Sequence, residues 1–300
     1  MKKVEKAETE MSKVIINLPY TAQAAPPAVA KRLALSPEEW QLEHWRLIDP
    51  YLAEMAAEAA VFQKRDRRIE RPLIIYPYSP VVADPWGLWA AELSEDDSIS
   101  PGAPATLPQT TAGKAINWSD KDRETIFSRT TLPFLQQIED AAHSLLEEAP
   151  LVLIVTLRSF TSMPQNFEKD RRYPRPQACV STAGKLTPEG LANMTGDTFR
   201  AFRWWAELNL PQAGTACAPE SLRNHPRVRT IGLSLCRSLY MDENTGRKKP
   251  AIRSVIRVLK TVFNLFDQEL SRVAKLRIER ATKPKDSPVI KADRLKELSL

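Results

Sequence analysis

One apolar run, Pro150 to Leu157 (PLVLIVTL), constrains the fold of this chain more than any other segment. Its length suits a strand, and because its residues do not alternate with polar ones, both faces of that strand must be buried. Such strands lie in sheets that helices cover on both faces. The run therefore predicts an α/β protein, with ligands expected where the strand ends, at Arg158-Ser159-Phe160.

The rest of the sequence alternates short β-branched runs with longer helical stretches. Ser36 and Glu39 form a capping-box pattern that predicts the start of a helix, and Pro50 predicts its end. Trp204 and Trp205 lie in a predicted helix, where we expect them to pack in the core. Further strands are predicted at residues 13–18, 72–76 and 228–235, and further helices over residues 51–62, 119–146, 188–210 and 250–275.

Length and composition favour one large domain. The chain has 300 residues, of which 43% are hydrophobic, so it can bury a sizeable core. We expect this domain to span residues 13–275, with a surface loop over residues 91–111, where serines, prolines and acidic residues replace any periodic pattern. Residues 1–12 are expected to form a flexible N-terminus and residues 276–300 a basic C-terminal tail.

Charge and cysteine content limit the partners and the compartment. The net charge is +6, but basic and acidic residues are interspersed along the chain, so nucleic acid is not an expected partner. Cys179, Cys217 and Cys236 are too few and too scattered for a disulfide framework, which suits a reducing cytoplasm. No apolar stretch reaches the roughly 18 residues that a membrane span needs, and no signal sequence is evident. We expect a cytoplasmic protein without a membrane partner.

Residues for hydrolytic chemistry are scarce. A catalytic zinc ion needs three protein donors, yet the histidines, His44, His143 and His225, are isolated in sequence and favour surface or structural roles. No GxSxG elbow or glycine-rich phosphate loop is present. Cys236 precedes Arg237, whose charge would favour a reactive thiolate, but a buried structural cysteine is the preferred interpretation.

Two motifs carry a resemblance to a known family. Residues 237–246 (RSLYMDENTG) resemble the "NRSLYMDE-x-TG" segment of N-formylglutamate amidohydrolases. Residues 151–164 (LVLIVTLRSFTSMP) resemble that family's strand, which ends in a histidine-serine-phenylalanine turn followed by Thr-x-x-Pro. The likeness extends over about residues 13–270. It implies a mixed sheet flanked by helices, similar to zinc carboxypeptidases and phosphorylase/hydrolase-like folds, and zinc as the family's cofactor.

The positions that the family's chemistry requires differ in this chain. Tyr20 replaces the histidine of the early "PHSG" motif, and Arg158 replaces the histidine that precedes Ser159. Ser234 stands where the resemblance implies a carboxylate general base. A guanidinium offers no lone pair to a metal, and a neutral hydroxyl cannot take a proton from zinc-bound water. With Asp49 the one remaining candidate ligand, we predict no catalytic residues, no metal and no cofactor.

These departures favour a pseudoenzyme, a folded domain with a binding or scaffold role toward a small acidic ligand or a protein partner. Its ligand would meet the charge of Arg158 in a remnant pocket, unless Arg158 instead forms a salt bridge with Asp49 or Asp84. The predicted remnant pocket contains Tyr20, Asp49, Asp84, Arg158, Ser159, Ser234 and Arg237.

Two alternatives remain open at this point. The first is an active metal-dependent amidohydrolase that cleaves N-formylglutamate or a related N-acyl amino acid through a rearranged site. Such a site would need His44 or His225 to join Asp49 and Asp84 around one metal ion. The second is an interaction subunit of a larger assembly, which docks through the loop at residues 91–111 or through the basic tail.

Overall fold

The helices and strands that the hydrophobic pattern predicts occur in the predicted order, and the structure adds short elements between them. A computed structural model describes residues 12–33, 35–64, 67–94 and 101–282. Within them the strands are β1 (Val14–Leu18), β2 (Val61–Lys64), β3 (Arg67–Glu70), β4 (Leu73–Ile75), β5 (Val152–Phe160), β6 (Ala178–Ser181), β7 (Ala206–Leu208) and β8 (Val228–Cys236). The α-helices are α1 (Pro27–Leu33), α2 (Pro37–Leu47), α3 (Leu52–Ala60), α4 (Leu88–Leu93), α5 (Asp120–Ile126), α6 (Leu132–Glu148), α7 (Glu189–Ala201) and α8 (Ile252–Thr282).

The main sheet has six strands in the order β4-β1-β5-β8-β6-β7. Strands β4, β1, β5 and β8 pair in parallel, whereas β6 runs antiparallel to β8 and pairs in parallel with β7. Strands β2 and β3 form a separate antiparallel hairpin. The prediction of a single α/β domain with a mixed sheet flanked by helices is confirmed.

Alternation along the central strands divides the interior into two cores. Side chains of successive strand residues point to opposite faces of a sheet, so β1 places Val14 and Ile16 on one face and Ile15 on the other. The first core lies against α3, α7 and α8, and the second lies against α6 and residues 76–93 and 105–118. Burial on both faces explains why β5 reads as one continuous apolar run.

Several element boundaries differ from the predictions. Strand β5 continues to Phe160, and one predicted helix over residues 119–146 is three segments, with a π-helical turn at Phe127–Thr131 between α5 and α6. Helix α7 ends at Ala201, short of both tryptophans. Trp204 stacks on Phe199 with ring centroids 5.7 Å apart, but Trp205 is 42% exposed, so the prediction that both pack in the core is wrong for Trp205.

The predicted loop and tail begin inside regular structure. Residues 91–93 belong to α4, and Leu107 is fully buried, so the described part of the 91–111 segment is anchored to the second core. Residues 95–100 lie outside the described residues. Helix α8 runs to Thr282, past the predicted end of the domain at residue 275; residues 283–300 of the predicted tail and residues 1–11 of the predicted flexible N-terminus lie outside the described residues. None of the described helices is long and apolar enough to cross a membrane.

A close approach at Gly232 sets the position of the chain segment that follows β7. A Cβ atom at Gly232 would lie 2.1 Å from Thr215 Oγ1 and 2.9 Å from Ser181 Cβ. Only glycine therefore lets the Thr215 backbone cross β8 at this distance. The crossing brings residues 209–213 to the carboxyl end of the sheet, beside Arg158.

Candidate functional site

Polar side chains replace apolar ones on one face of the sheet at the carboxyl ends of its parallel strands. Asn17, Thr156, Arg158 and Ser234 have the strand parity that faces the second core, as Ile154 does. Arg158 and Ser234 lie directly opposite each other in the register of β5 and β8. This edge is where ligands bind in α/β sheets, so it is the candidate site.

The Arg158 guanidinium fills the middle of this edge. Its central carbon lies 4.4 Å from the centroid of the Tyr20 ring and 4.6 Å from that of Trp89, and the residue is 2% exposed. Such contacts with aromatic faces contribute about 2 kcal/mol when they are desolvated. Arg158 Nε also lies 3.9 Å from Asp49 Oδ2. Arg158 thus pairs with Asp49, which agrees with the interpretation that Arg158 forms a salt bridge with a neighbouring aspartate.

Asp49 is the one carboxylate between two buried guanidiniums. Its Oδ1 accepts hydrogen bonds from the Ser159 amide (3.0 Å) and the Ser159 hydroxyl (2.8 Å), and lies 3.9 Å from Arg237 Nη2. Arg237 Nε donates to Ser159 Oγ at 3.1 Å, and Arg237 Nη2 donates to the Ile48 carbonyl. Burial raises the pKa of Asp49, whereas Arg158 and Arg237 act to lower it. The Asp49 carboxylate therefore serves as the counter-ion of both Arg158 and Arg237.

Tyr20 and Asp84 form a second buried pair. The Tyr20 hydroxyl donates a hydrogen bond to Asp84 Oδ1. Asp84 also accepts the Trp86 amide at 3.3 Å and, through Oδ2, the Ala90 amide in the first turn of α4 at 2.9 Å. Burial and the neighbouring Asp84 carboxylate raise the pKa of Tyr20 well above its ordinary value, so the phenol is protonated at neutral pH.

Ser234, at the position implied for a general base, is fully buried. Its hydroxyl oxygen has no hydrogen-bond partner among the described residues. A serine hydroxyl can accept a proton from water only after an adjacent base has removed its own, and Arg158, the residue opposite it in register, is a cation. Ser234 therefore lacks the surroundings of a general base.

The residues at this edge do not fit a zinc ion. A guanidinium and a protonated phenol stand at the two positions that the resemblance assigns to histidines, and neither donates a lone pair readily. Asp49, the remaining candidate ligand, is held by Ser159 and faces Arg158. Across residues 12–33, 35–64, 67–94 and 101–282, no three histidine, cysteine, aspartate or glutamate side chains converge in a group able to hold a metal ion.

The histidines lie apart from one another. His225 precedes β8, at the amino edge of the sheet and thus opposite the candidate site, and its Nδ1 accepts the Arg227 amide at 3.3 Å. His143 is exposed on α6. His44 is buried on α2, with Nδ1 3.3 Å from Ser79 Oγ and its ring stacked on Trp40. The convergence of His44 or His225 with Asp49 and Asp84, which a rearranged metal site needs, is not observed among the described residues.

His44 makes stability depend on pH. Burial lowers the pKa of His44 from its ordinary 6.5 to about 4, so the unfolded chain binds the proton first as the pH falls. The contribution of His44 is present above pH 6.5 and is lost as the pH drops toward 4, by up to about 3 kcal/mol. Urea unfolding of the native protein and of His44→Gln between pH 7 and 4 should give a shallower decline for the variant. Parallel declines would contradict this origin.

The cysteines are structural. Burial raises the pKa of Cys179 to about 11 and of Cys217 to about 12. Burial also raises the pKa of Cys236, whose sulfur lies 3.1 Å from Ser238 Oγ. All three thiols are thus protonated near neutral pH, which makes them poor nucleophiles and poor metal ligands.

A cleft of about 460 Å³ opens beside this buried network. Of the residues predicted for the remnant pocket, only Arg158 lines the cleft, so the structure separates the predicted pocket into an inner packed network and an outer cavity. Sequence reasoning missed the rest of the cleft. The sequence feature that marks the cleft is the charged run from Glu168 to Arg172, which resembles solvated surface in sequence, whereas residues 168–170 and 172 line the cleft together with Arg158. Other lining residues include Trp89, Arg175 and Gln212.

Comparisons with known proteins agree with the motifs. The family model described as N-formylglutamate amidohydrolase matches residues 12–241. The crystal structure of N-formylglutamate amidohydrolase from Ralstonia eutropha JMP134 is similar to this chain, with a TM-score of 0.66 at 15% identity over 88% of this chain and 96% of that one. A gene product from Agrobacterium tumefaciens is similar with a TM-score of 0.60 at 15% identity, over 87% and 92% of the two chains. No match is found among curated proteins.

Proposed function

Because this chain belongs to the N-formylglutamate amidohydrolase family, we propose that it is a member without hydrolase activity, which acts by binding a small acidic ligand or a partner. The observation that carries the proposal is the buried Arg158 guanidinium, held between two aromatic rings and 3.9 Å from Asp49. A fixed positive charge at this place repels a metal cation, and it is surrounded by groups that stabilise the arginine itself.

Amide hydrolysis also needs a group that activates water. A metal ion or a general base with a pKa near the working pH supplies that activation in hydrolases. At this edge, Ser234 is a buried hydroxyl and Tyr20 is a protonated phenol bound to Asp84. Asp49 and Asp84 each accept hydrogen bonds from neighbouring protein groups rather than facing the cleft. Binding without turnover is the function that this arrangement supports.

An assay for formate release tests the proposal. The purified protein, supplied with zinc and N-formylglutamate, should release no formate above a protein-free control, because the site has neither a metal-binding set nor a base. The Ralstonia eutropha enzyme, assayed in parallel, serves as the positive control. Zinc-dependent formate release that disappears in Asp49→Asn would overturn the proposal and favour the rearranged active site.

A further inference from the structure

We propose that the cleft beside Arg158 binds a small monocarboxylate with an apolar body, whose carboxylate meets the Arg158 guanidinium. The inference rests on the proposed function and names the class of ligand for the same site. It follows from the charges in the cleft wall, from the unpartnered atoms of its inner end and from its apolar side.

Charged residues at the mouth of the cleft neutralise one another. Arg175 forms an ion pair with Glu168, and both side chains are buried. Arg172 Nη2 lies 2.8 Å from Asp170 Oδ2, and Arg172 Nε also donates to this carboxylate. Each of these acids is therefore bound by a cation of the same wall, so neither pair leaves a free charge for a ligand.

The remaining acid of the wall is Glu92, and it faces Lys169. The Lys169 amide donates to Glu92 Oε1, and the Lys169 ammonium donates to the Ala91 carbonyl at 2.7 Å. Burial raises the pKa of Glu92, whereas the charges of Lys169 and Arg158 act to lower it. The lining thus holds four cations and three acids, and Asp49, which pairs with Arg158, lies outside the lining. The residues that line the cleft therefore carry one net positive charge, which suits a monoanion.

Arg158 keeps a donor available at this place. Its Nε faces Asp49 at 3.9 Å, outside the cleft lining, and both Nε and Nη2 are buried without a hydrogen-bond partner among the described residues. Nη1 is therefore the nitrogen through which Arg158 lines the cleft. A buried guanidinium with unmet donors is costly, and a carboxylate is the ligand group that matches its planar geometry. The residue is 2% exposed, so the contact would form with little competition from water.

The other walls of the cleft determine which chemical group should carry the carboxylate of the ligand. Leu88, Trp89, Pro211 and Ala213 give an apolar surface, and the side-chain oxygen of Gln212 is buried without a hydrogen-bond partner among the described residues. At about 460 Å³ the cleft lies in the range of about 300–1,000 Å³ typical of small-molecule sites and is too large to be filled by a carboxylate group alone. An apolar body, with a polar donor for Gln212, completes the ligand class.

Titration calorimetry with phenylacetate and its neutral counterpart phenylacetamide tests the charge requirement on the native protein. We expect phenylacetate to bind at least tenfold more tightly than phenylacetamide, because only the acid pairs with Arg158. Equal binding of the two compounds would overturn the proposal. A short peptide ending in phenylalanine forms a second arm: binding of this peptide alone would identify a chain terminus as the source of the carboxylate, and binding of neither acid would reject the site.

A pair of variants locates the binding without disturbing Arg158. Ala213→Trp fills the cleft from its exposed rim, whereas Ala201→Trp places the same side chain at the exposed end of α7, away from the lining. We expect Ala213→Trp to weaken phenylacetate at least tenfold and Ala201→Trp to leave it unchanged. Unchanged affinity in Ala213→Trp would place the ligand elsewhere. The formate assay reads hydrolysis and calorimetry reads binding, so failure of one proposal is distinguishable from failure of the other.

Discussion

Asp49→Ala is expected to lower the free energy of unfolding by about 3–5 kcal/mol, because it leaves two buried guanidiniums without their shared carboxylate. Asp49 lies 3.9 Å from Arg158 Nε and from Arg237 Nη2, and it accepts both Ser159 hydrogen bonds. Urea unfolding monitored by tryptophan fluorescence measures the change. A loss of this size identifies Asp49 as a structural counter-ion.

The matched control removes an aspartate from an exposed ion pair. Asp197 lies 2.7 Å from Arg200 on α7, with side chains 73% and 51% exposed. Exposed pairs contribute at most about 1 kcal/mol, so Asp197→Ala should change stability by less than that. If Asp49→Ala were no more destabilising than Asp197→Ala, the assignment of Asp49 as the counter-ion of Arg158 and Arg237 would be wrong.

Restoring histidines should restore a metal site. We expect the double variant Tyr20→His with Arg158→His to bind one zinc ion per chain, where the native protein binds none. The substitution removes the central positive charge and the phenol, and it places two imidazoles near Asp49, which gives the three donors of a zinc site. Zinc content after gel filtration, together with a zinc-dependent rise in melting temperature, measures the outcome.

A second double variant tests whether zinc binding requires the histidine side chains or only the removal of Tyr20 and Arg158. Tyr20→Phe with Arg158→Gln removes the same phenol and charge but introduces no metal ligand, and it should bind no zinc. Equal zinc binding by both double variants would show that the histidines are not the ligands. A folded histidine variant that stays metal-free would mean that these positions do not converge as the family resemblance implies.

The central sheet was predictable because its hydrophobic pattern is strong. The first part of strand β5, Val152 to Val155, is continuously apolar, and burial on both of its faces leaves few other folds for such a run. The short strands β6 and β7 were not predicted, since four and three residues carry no measurable period. The end of α7 was missed because Trp204 continues the apolar pattern while packing on Phe199 from outside the helix.

The site was predictable only in part, and through resemblance rather than pattern. The motifs identified Tyr20, Asp84 and Arg158 as site residues. In the structure Tyr20 contacts both Asp84 and Arg158, so the three residues belong to one buried network. Trp89, the second ring against Arg158, belongs to no motif and is found only once α4 is packed beside β5. The cleft lining could not be read from sequence, because it depends on where residues 168–175 and 209–213 cross the sheet edge.

The substitutions act together rather than singly. A lone arginine beside a metal site would be a buried, unpaired charge, which costs several kcal/mol. Here the Tyr20 ring and the Trp89 ring cover the guanidinium and Asp49 faces its Nε, so the one residue that the resemblance leaves as a candidate ligand serves as the counter-ion. The Tyr20 hydroxyl in turn binds Asp84. Reversing one substitution alone would therefore leave a cavity or an unpaired charge.

Zinc content of the native protein is the most direct test of the claim that this site has lost its metal. The protein would be purified without chelator, incubated with excess zinc, freed of unbound metal by gel filtration and measured by elemental analysis. The account predicts well under 0.1 zinc per chain, on the order of background, because Arg158 and Tyr20 replace the ligands that a zinc site needs. One zinc per chain, lost in Asp49→Asn, would contradict it.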